Sequence, residues 1–373
     1  MKRVLLDFSN LRVGGGVQVA SATLQELSAP ALRERYPWLI DRTAIRISPA
    51  VRGHLSIDTA TLPGVVEVVE TRPTVLAPLK PSRDAFDVRF TLFGPTYTGR
   101  LARREIAGFA EVTLVYDPVE YGQAHRARPL RERIGVAIKR RLVGRSDIYV
   151  IETDAIAARL TARYGIAPSR IRVVPNRPHP VIRAAKVPAR SARVAPGELH
   201  LLYPTRAYPH KNLDIIGPTG DLYAARSGRR LVVHTTLRAD EWQALSPESR
   251  RSMHNHGEVT PGGLAQIYTT VDGVFFPSLL EASSATPLEA NVLGVPLIAS
   301  DRDFVRASAK AQGWFDPANP GSIVDSLLDF EDGIPAAWSR AAGVSQAYRR
   351  VLDSSNRTES YLDIIGAELA RSS

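Results

Sequence analysis

What most constrains the fold of this chain is an alternation of apolar strands and amphipathic helices that runs through one half, stops, and begins again. In the first half 4–8, 65–69, 88–93, 112–116, 148–151 and 171–175 read as strands, with helices at 17–27 and 155–164. A Pro-, Ala- and Arg-rich stretch from Asn176 to about Gly197 has no usable period and reads as a linker. Strands at 200–203, 231–234, 274–276 and 297–299 then restart the pattern. Alternating β and α units predict parallel sheets covered on both faces. The expected fold class is therefore α/β, with two Rossmann-like parallel-sheet domains facing an interdomain cleft. The expected bounds are 1–178 for the first domain, 179–198 for the linker and 199–349 for the second. A terminal helix at 350–373 is expected to pack back on the first domain.

At 373 residues the chain exceeds one ordinary core, which agrees with two domains. It has no cysteine, so disulfides and thiolate metal sites are excluded and a reducing cytosol is compatible. The apolar run before Asp7 is too short for a secretory signal, and no stretch approaches a membrane span. A cytoplasmic protein is expected. The formal charge of +10 is concentrated in part at 126–145, where eight Lys and Arg face a single Glu132. Leu130, Ile134, Ile138 and Leu142 recur there every four residues, one apolar stripe on a basic helix. Such a helix either faces the core with its stripe or lies on an anionic membrane surface. The run lacks the interleaved aromatics of a single-strand binder, so no nucleic acid partner is expected.

Three features carry chemistry. Gly14-Gly15-Gly16 joins the first strand to the first helix, where glycine lets backbone approach a ligand and the helix start favours an anion; a plain tight turn reads the same way. Next, Tyr203-Pro-Thr-Arg206-Ala-Tyr-Pro-His-Lys211-Asn212 follows the strand that opens the second domain. Arg206 can grip a diphosphate in a bidentate manner and Lys211 can act as a point charge. Lastly, Glu281 and Glu289 bracket Ser283 and Ser284 across a strand end and the start of a helix, where α/β sheets bind ligands. Backbone N–H groups from Ser284 to Leu288 can hold phosphate oxygens. Glu289 can accept from a ribose diol and Glu281 from hydroxyls of a second sugar. Thr286-Pro287-Leu288-Glu289 also has the form of a capping box, with Thr286 as N-cap and Glu289 reaching back. Glu281 has no such structural role. Together the set describes a nucleotide-diphosphate-sugar site.

In these residues, with His256-Gly257-Glu258-Val259 and the segment from Tyr268 to Ser278, the chain resembles the retaining GT-B glycosyltransferases of glycosyltransferase family 4 over nearly its whole length. The resemblance implies that Arg206 and Lys211 bind the donor diphosphate, Glu289 the ribose, Glu281 the transferred sugar and the segment Gly257 to Val259 the base. It places Gly15 and Gly16 against the donor phosphate and the acceptor. Where the family carries a His-Asp pair at a strand end, this chain reads Tyr116-Asp117, leaving Asp117 to orient sugar or acceptor, with His125 nearby in sequence. Ala282-Ser283-Ser284 replaces the family's usual Gly-Phe-Gly, and Asn176-Arg177 its Asn-Gly. The implied activity is metal-independent hexosyl transfer, with retention, to a glycan or lipid-linked saccharide of cell-surface polysaccharide biosynthesis. No cofactor beyond the donor is expected, and a peripheral position on the cytosolic membrane face suits the basic helix. The alternative is a non-catalytic nucleotide-sugar or glycan-binding protein of the same fold. Composition leaves the oligomeric state open.

Overall fold

The computed structural model describes residues 3–12, 14–71, 85–94, 99–117, 130–188, 195–353 and 356–372; among the residues singled out above, 126–129 and His125 lie outside these. The described residues of 1–116, 127–175 and 355–373 form one compact unit, and Asp117 with those of 176–354 a second.

In the first unit the strands are β1 (Val4–Phe8), β2 (Thr43–Ile47), β3 (Val65–Val68), β4 (Phe86–Gly94), β5 (Ala102–Phe109), β6 (Ile148–Ile151) and β7 (Ile171–Val173). They form one parallel sheet in the order β3-β2-β1-β4-β5-β6-β7. β1 is buried along its whole length, as inner strands of a parallel sheet usually are. Val17, Ala20, Leu24 and Leu27 of the helix Gly15–Leu27 pack into the same core as Tyr361, Leu362, Ile365 and Leu369 of the helix Arg357–Arg371. That last helix is pinned at both ends. Arg357 donates to Glu152 at 2.6 Å, and the Arg104 guanidinium donates through Nε to Glu368 at 2.7 Å.

Two sequence readings change here. The segment 112–116 is no strand; Val112–Leu114 is a 3-10 turn. The N–H groups of Leu114, Val115 and Tyr116 close on the carbonyls of Glu111 and Val112, which spends locally the bonds a ladder would need. The strand of this region is β5 instead, so Asp117 does not stand at a strand end. The basic helix is Leu130–Leu142, and its stripe does not face the core: Ile134 is 52% exposed and Ile138 37%. An ion pair from Lys139 to Glu111 fixes the helix beside the 3-10 turn, and among the side chains described from 134 to 142 only Leu142 is buried.

In the second unit β8 (Glu198–Tyr203), β9 (Arg230–Thr235), β10 (Met253–Asn255), β11 (Gly273–Phe276), β12 (Leu297–Ser300) and β13 (Gly313–Phe315) form a parallel sheet in the order β10-β9-β8-β11-β12-β13. β8 is first in sequence yet lies between β9 and β11, so the strand order reverses between β8 and β11. In an open α/β sheet the carboxyl ends of the strands at such a reversal are the ordinary place for a ligand. Tyr203 and Phe276 end the two strands with their rings edge to face, 5.9 Å apart.

Candidate active site

The loop after β8 carries Arg206 and Lys211. Pro209–Lys211 makes a single 3-10 turn and Asn212 stops it in the left-handed region at φ 58°, the one such non-glycine residue among those described. Asparagine tolerates that conformation. Its side-chain amide donates to Pro277 O at 3.2 Å and to Pro317 O at 2.8 Å. The Tyr203 hydroxyl donates to Lys211 O at 3.0 Å, and Leu279 N to His210 O at 2.8 Å. These bonds lock the β8 loop against the β11 loop.

The consequence is a buried ion pair between Lys211 and Glu281, whose side chains are 14% and 11% exposed. Ser278 Oγ donates to the same carboxylate oxygen at 2.8 Å. Burial alone would drive the Lys211 ammonium toward its neutral form, but the Glu281 carboxylate outweighs it and raises the Lys211 pKa. The ammonium of this largely buried pair therefore stays charged. His210, next in the turn, is pushed the other way by burial.

Arg206 points to a different carboxylate set, with Glu241 at 3.2 Å and Glu258 at 3.1 Å. Glu241 also accepts from Ala207 N at 3.3 Å, which fixes the loop after β8. Glu258 lies between Gly257, whose φ of 74° suits glycine, and Val259, so Arg206 reaches the segment 257–259.

The helix Ala285–Leu293 starts with Ser284 as N-cap, not Thr286, and the capping box is absent. The Thr286 hydroxyl instead donates to Pro204 O at 3.3 Å, tying the helix start to the Arg206 loop. Glu289 points away from the N-cap and accepts from the Tyr268 hydroxyl at 2.8 Å. It is 6% exposed, and burial raises its pKa to about 7, a shift that the Tyr268 hydrogen bond only moderates. The first N–H groups of a helix have no intrahelical acceptor. Beside them the Ser283 hydroxyl is buried without a hydrogen-bond partner, a costly state unless a ligand relieves it.

Arg206, Lys211, Gly257, Val259, Glu281, Ser283, Ser284, Thr286 and Glu289 thus all belong to the second unit, on loops joined by direct bonds or, for Thr286 and Glu289, on the helix they open. Gly15 and Gly16 lie in the first unit, where Gly14 at φ 73° turns the chain from β1 into the helix. Asp117 is exposed and stands on neither of the two loops. Four partners escaped the sequence reading: Tyr268, Ser278, Glu241 and Asn212 as a clamp rather than a ligand. Only Ser278 carried a local signal, three residues before Glu281. Tyr268 and Glu241 meet their partners through the sheet order, which spacing does not reveal.

No protein-family profile matches the sequence, and no curated protein does. Solved structures do match. A glycosyltransferase from Rickettsia africae covers 99% of this chain and 99% of its own length, with a TM-score of 0.65 at 13% identity. WaaG, a glycosyltransferase involved in lipopolysaccharide biosynthesis, covers 97% of this chain and 99% of its own at a TM-score of 0.60 and 15% identity. Anabaena Alr3699/HepE in complex with UDP covers 95% and 100%, at 0.58 and 15%. Against TarM the chain spans about half of that protein, 54% of it, at a TM-score of 0.55 and 13% identity. At such identities the likeness establishes the fold: two parallel-sheet α/β domains of the GT-B glycosyltransferase type.

Proposed function

We propose that the chain is a retaining glycosyltransferase that moves a hexosyl group from a nucleotide-diphosphate sugar to an acceptor hydroxyl. The observation that carries the reading is the buried Lys211–Glu281 pair beside a helix start with an unpartnered Ser283 hydroxyl, on the two loops that leave the sheet where its strand order reverses. Carboxylate, ammonium and free N–H groups side by side fit a ligand that is part polyol and part phosphate. HepE bound to UDP, and WaaG with its place in lipopolysaccharide biosynthesis, share the fold and favour a glycan or lipid-linked saccharide of the cell surface as acceptor.

In this reading Arg206, Lys211 and the N–H groups at Ser283, Ser284 and Thr286 hold the diphosphate. Glu289 accepts from the ribose diol, Glu281 from the transferred sugar, and the backbone of Gly257 and Val259 borders the base. The family resemblance gives Gly15 and Gly16 to the phosphate and acceptor, and Asp117 to orienting the acceptor. The acceptor oxygen attacks the anomeric carbon on the face the diphosphate leaves. The bond to the β-phosphate oxygen breaks with its electron pair on that oxygen, which also takes the acceptor proton. The two cations meet charge that develops only as that bond breaks, which is what lowers the barrier. They replace a metal at the diphosphate, so turnover is expected to persist in a chelator.

A thermal-shift panel of UDP-, GDP-, dTDP- and ADP-sugars tests the donor site. One base should stabilise the protein by about 2.7 kcal/mol at a hundred times its dissociation constant; no shift with any of them sinks the reading. The anomeric configuration of the product, read by NMR, then decides retention.

A second surface belongs to the same proposal. The basic helix Leu130–Leu142 presents Ile134 and Ile138 to solvent beside Arg140 and Arg141, a pattern that suits an anionic bilayer surface where a lipid-linked acceptor resides. Ile134→Glu with Ile138→Glu is expected to change stability by less than about 0.5 kcal/mol per site, since neither is buried. The same variant should lose sedimentation with phosphatidylglycerol vesicles. Unchanged sedimentation would remove the membrane from the scheme.

A further inference from the structure

Four of the eight histidines of the chain meet on one face of the second sheet. His254 of β10 lies opposite His234 of β9; His200 of β8 is two residues before Leu202, which is His234's partner on the other side. His256 follows His254 by two residues. With a side-chain period of two, that register puts all four imidazoles on the same side. His234 Nδ1 is 2.8 Å from His256 Nε2, and His234 Nε2 is 2.9 Å from His200 Nδ1. His200 Nε2 is 2.9 Å from Glu198, whose other oxygen takes the Arg230 guanidinium at 2.6 Å. The His254 ring stands edge to face with His256 at 4.7 Å and is exposed.

We propose that His234, His254 and His256 form a binding site for a borderline divalent transition metal such as zinc, with open positions toward solvent. One ligand nitrogen from each of the three lies within 4.8 Å of the other two. A tetrahedral zinc with Zn–N bonds near 2.0–2.1 Å needs nitrogens about 3.4 Å apart, so small side-chain rotations suffice. The donor set is all imidazole, which suits zinc, copper and nickel and not calcium or magnesium.

Hydrogen-bond polarity supports the assignment. An ionised Glu198 can only accept, so His200 Nε2 carries a proton and donates to it. His200 Nδ1 is then an acceptor, and His234 must donate to it through Nε2. That leaves the lone pair of His234 Nδ1 facing His256 and the cluster. In the resting chain the proton on His256 Nε2 fills that lone pair. Metal would take its place, and the displaced proton moves to His256 Nδ1, so the ring remains neutral. Carboxylate, imidazole, imidazole and metal then stand in a row, the outer arrangement that orients metal-ligating histidines. The inference uses none of the residues given to the donor and stands or falls apart from it.

The test is calorimetric titration of tag-free full-length protein with zinc, followed by cobalt absorption. One equivalent should bind, and cobalt should give the intense visible bands of a four- or five-coordinate nitrogen site. His254→Ala, at an exposed ring, should lose the equivalent while unfolding at the wild-type temperature; His234→Ala should lose it too. His54→Ala, in the first unit, should keep it. Glu198→Gln should retain one equivalent but weaken it about 10- to 100-fold, as loss of an outer-shell partner does. No saturable binding by the wild type, or binding that His254→Ala leaves intact, overturns the proposal.

Discussion

Lys211→Ala is expected to lower turnover roughly 10²–10³-fold, the usual effect of removing one group that meets developing charge. The same change should destabilise the second unit by about 3 kcal/mol, because it strands Glu281 among buried atoms. The two effects can be told apart. Glu281 is 11% exposed and would retain only the hydrogen bond from Ser278. Without its cation it is a buried carboxylate with its charge uncompensated, which is where the stability loss arises. Lys211→Arg keeps the charge and should recover most of the stability, but a guanidinium in an ammonium's place should not recover the rate. Adding Glu281→Ala to Lys211→Ala should restore stability while leaving the enzyme inactive. Urea titrations and initial rates with saturating donor read both. Wild-type rates in Lys211→Ala would remove this residue from the reaction.

The second large effect belongs to Glu289, and its sign is unusual for a carboxylate. Burial pushes its pKa up from the ordinary 4.5 to about 7, disfavouring the charged form more than the Tyr268 hydroxyl favours it. Between those values the folded state holds a proton that the unfolded state has released. Stability must therefore fall as pH rises through this window, by about 3 kcal/mol in all, and level off above it. Glu289→Gln keeps the shape and the acceptor for Tyr268 but cannot ionise. The variant should match the wild type near pH 4.5 and exceed it by up to about 3 kcal/mol near pH 8. Urea midpoints measured across that range are the check, and a variant less stable than wild type at the alkaline end contradicts the assignment. On the proposed reading a ribose diol donates to the ionised form, so donor affinity should rise over the interval in which stability declines, and the glutamine variant should lose that rise.

Much of the architecture was legible because runs such as 4–8, 148–151 and 297–299 are buried along their length and, Asp7 apart, are built of apolar or aromatic residues. β5 was not. Its Arg103-Arg104-Glu105 reads as surface, yet Glu105 is buried against Arg89 across the ladder at 2.7 Å, and Arg104 is matched by Glu368 from the far end of the chain. Charges satisfied by distant partners look solvated in a sequence window. The opposite error produced a strand at 112–116, where four apolar residues in five close a turn that Arg159 covers by resting 3.8 Å above the Tyr116 ring. At the site, residue types and order placed Arg206, Lys211, Glu281 and Glu289 in one unit. Their pairing was hidden. The apparent capping box at 286–289 matched a local rule, but the hydroxyl of Thr286 and the carboxyl of Glu289 found nonlocal partners in Pro204 and Tyr268.

The resting loops also carry their own counter-ions. Arg206 and Lys211, the two cations, already face three carboxylates, Glu241, Glu258 and Glu281. On the proposed reading, an arriving diphosphate must trade places with those anions rather than fill an empty positive socket. Free phosphate or pyrophosphate repays the exchange poorly, since it offers a released Glu281 far fewer hydroxyl donors than a sugar does. A complete sugar nucleotide can, because its hydroxyls satisfy the carboxylate that its phosphates evict. Selectivity for an intact donor over the abundant anions of a cell then follows from competition inside the loop, with no gate required to enforce it.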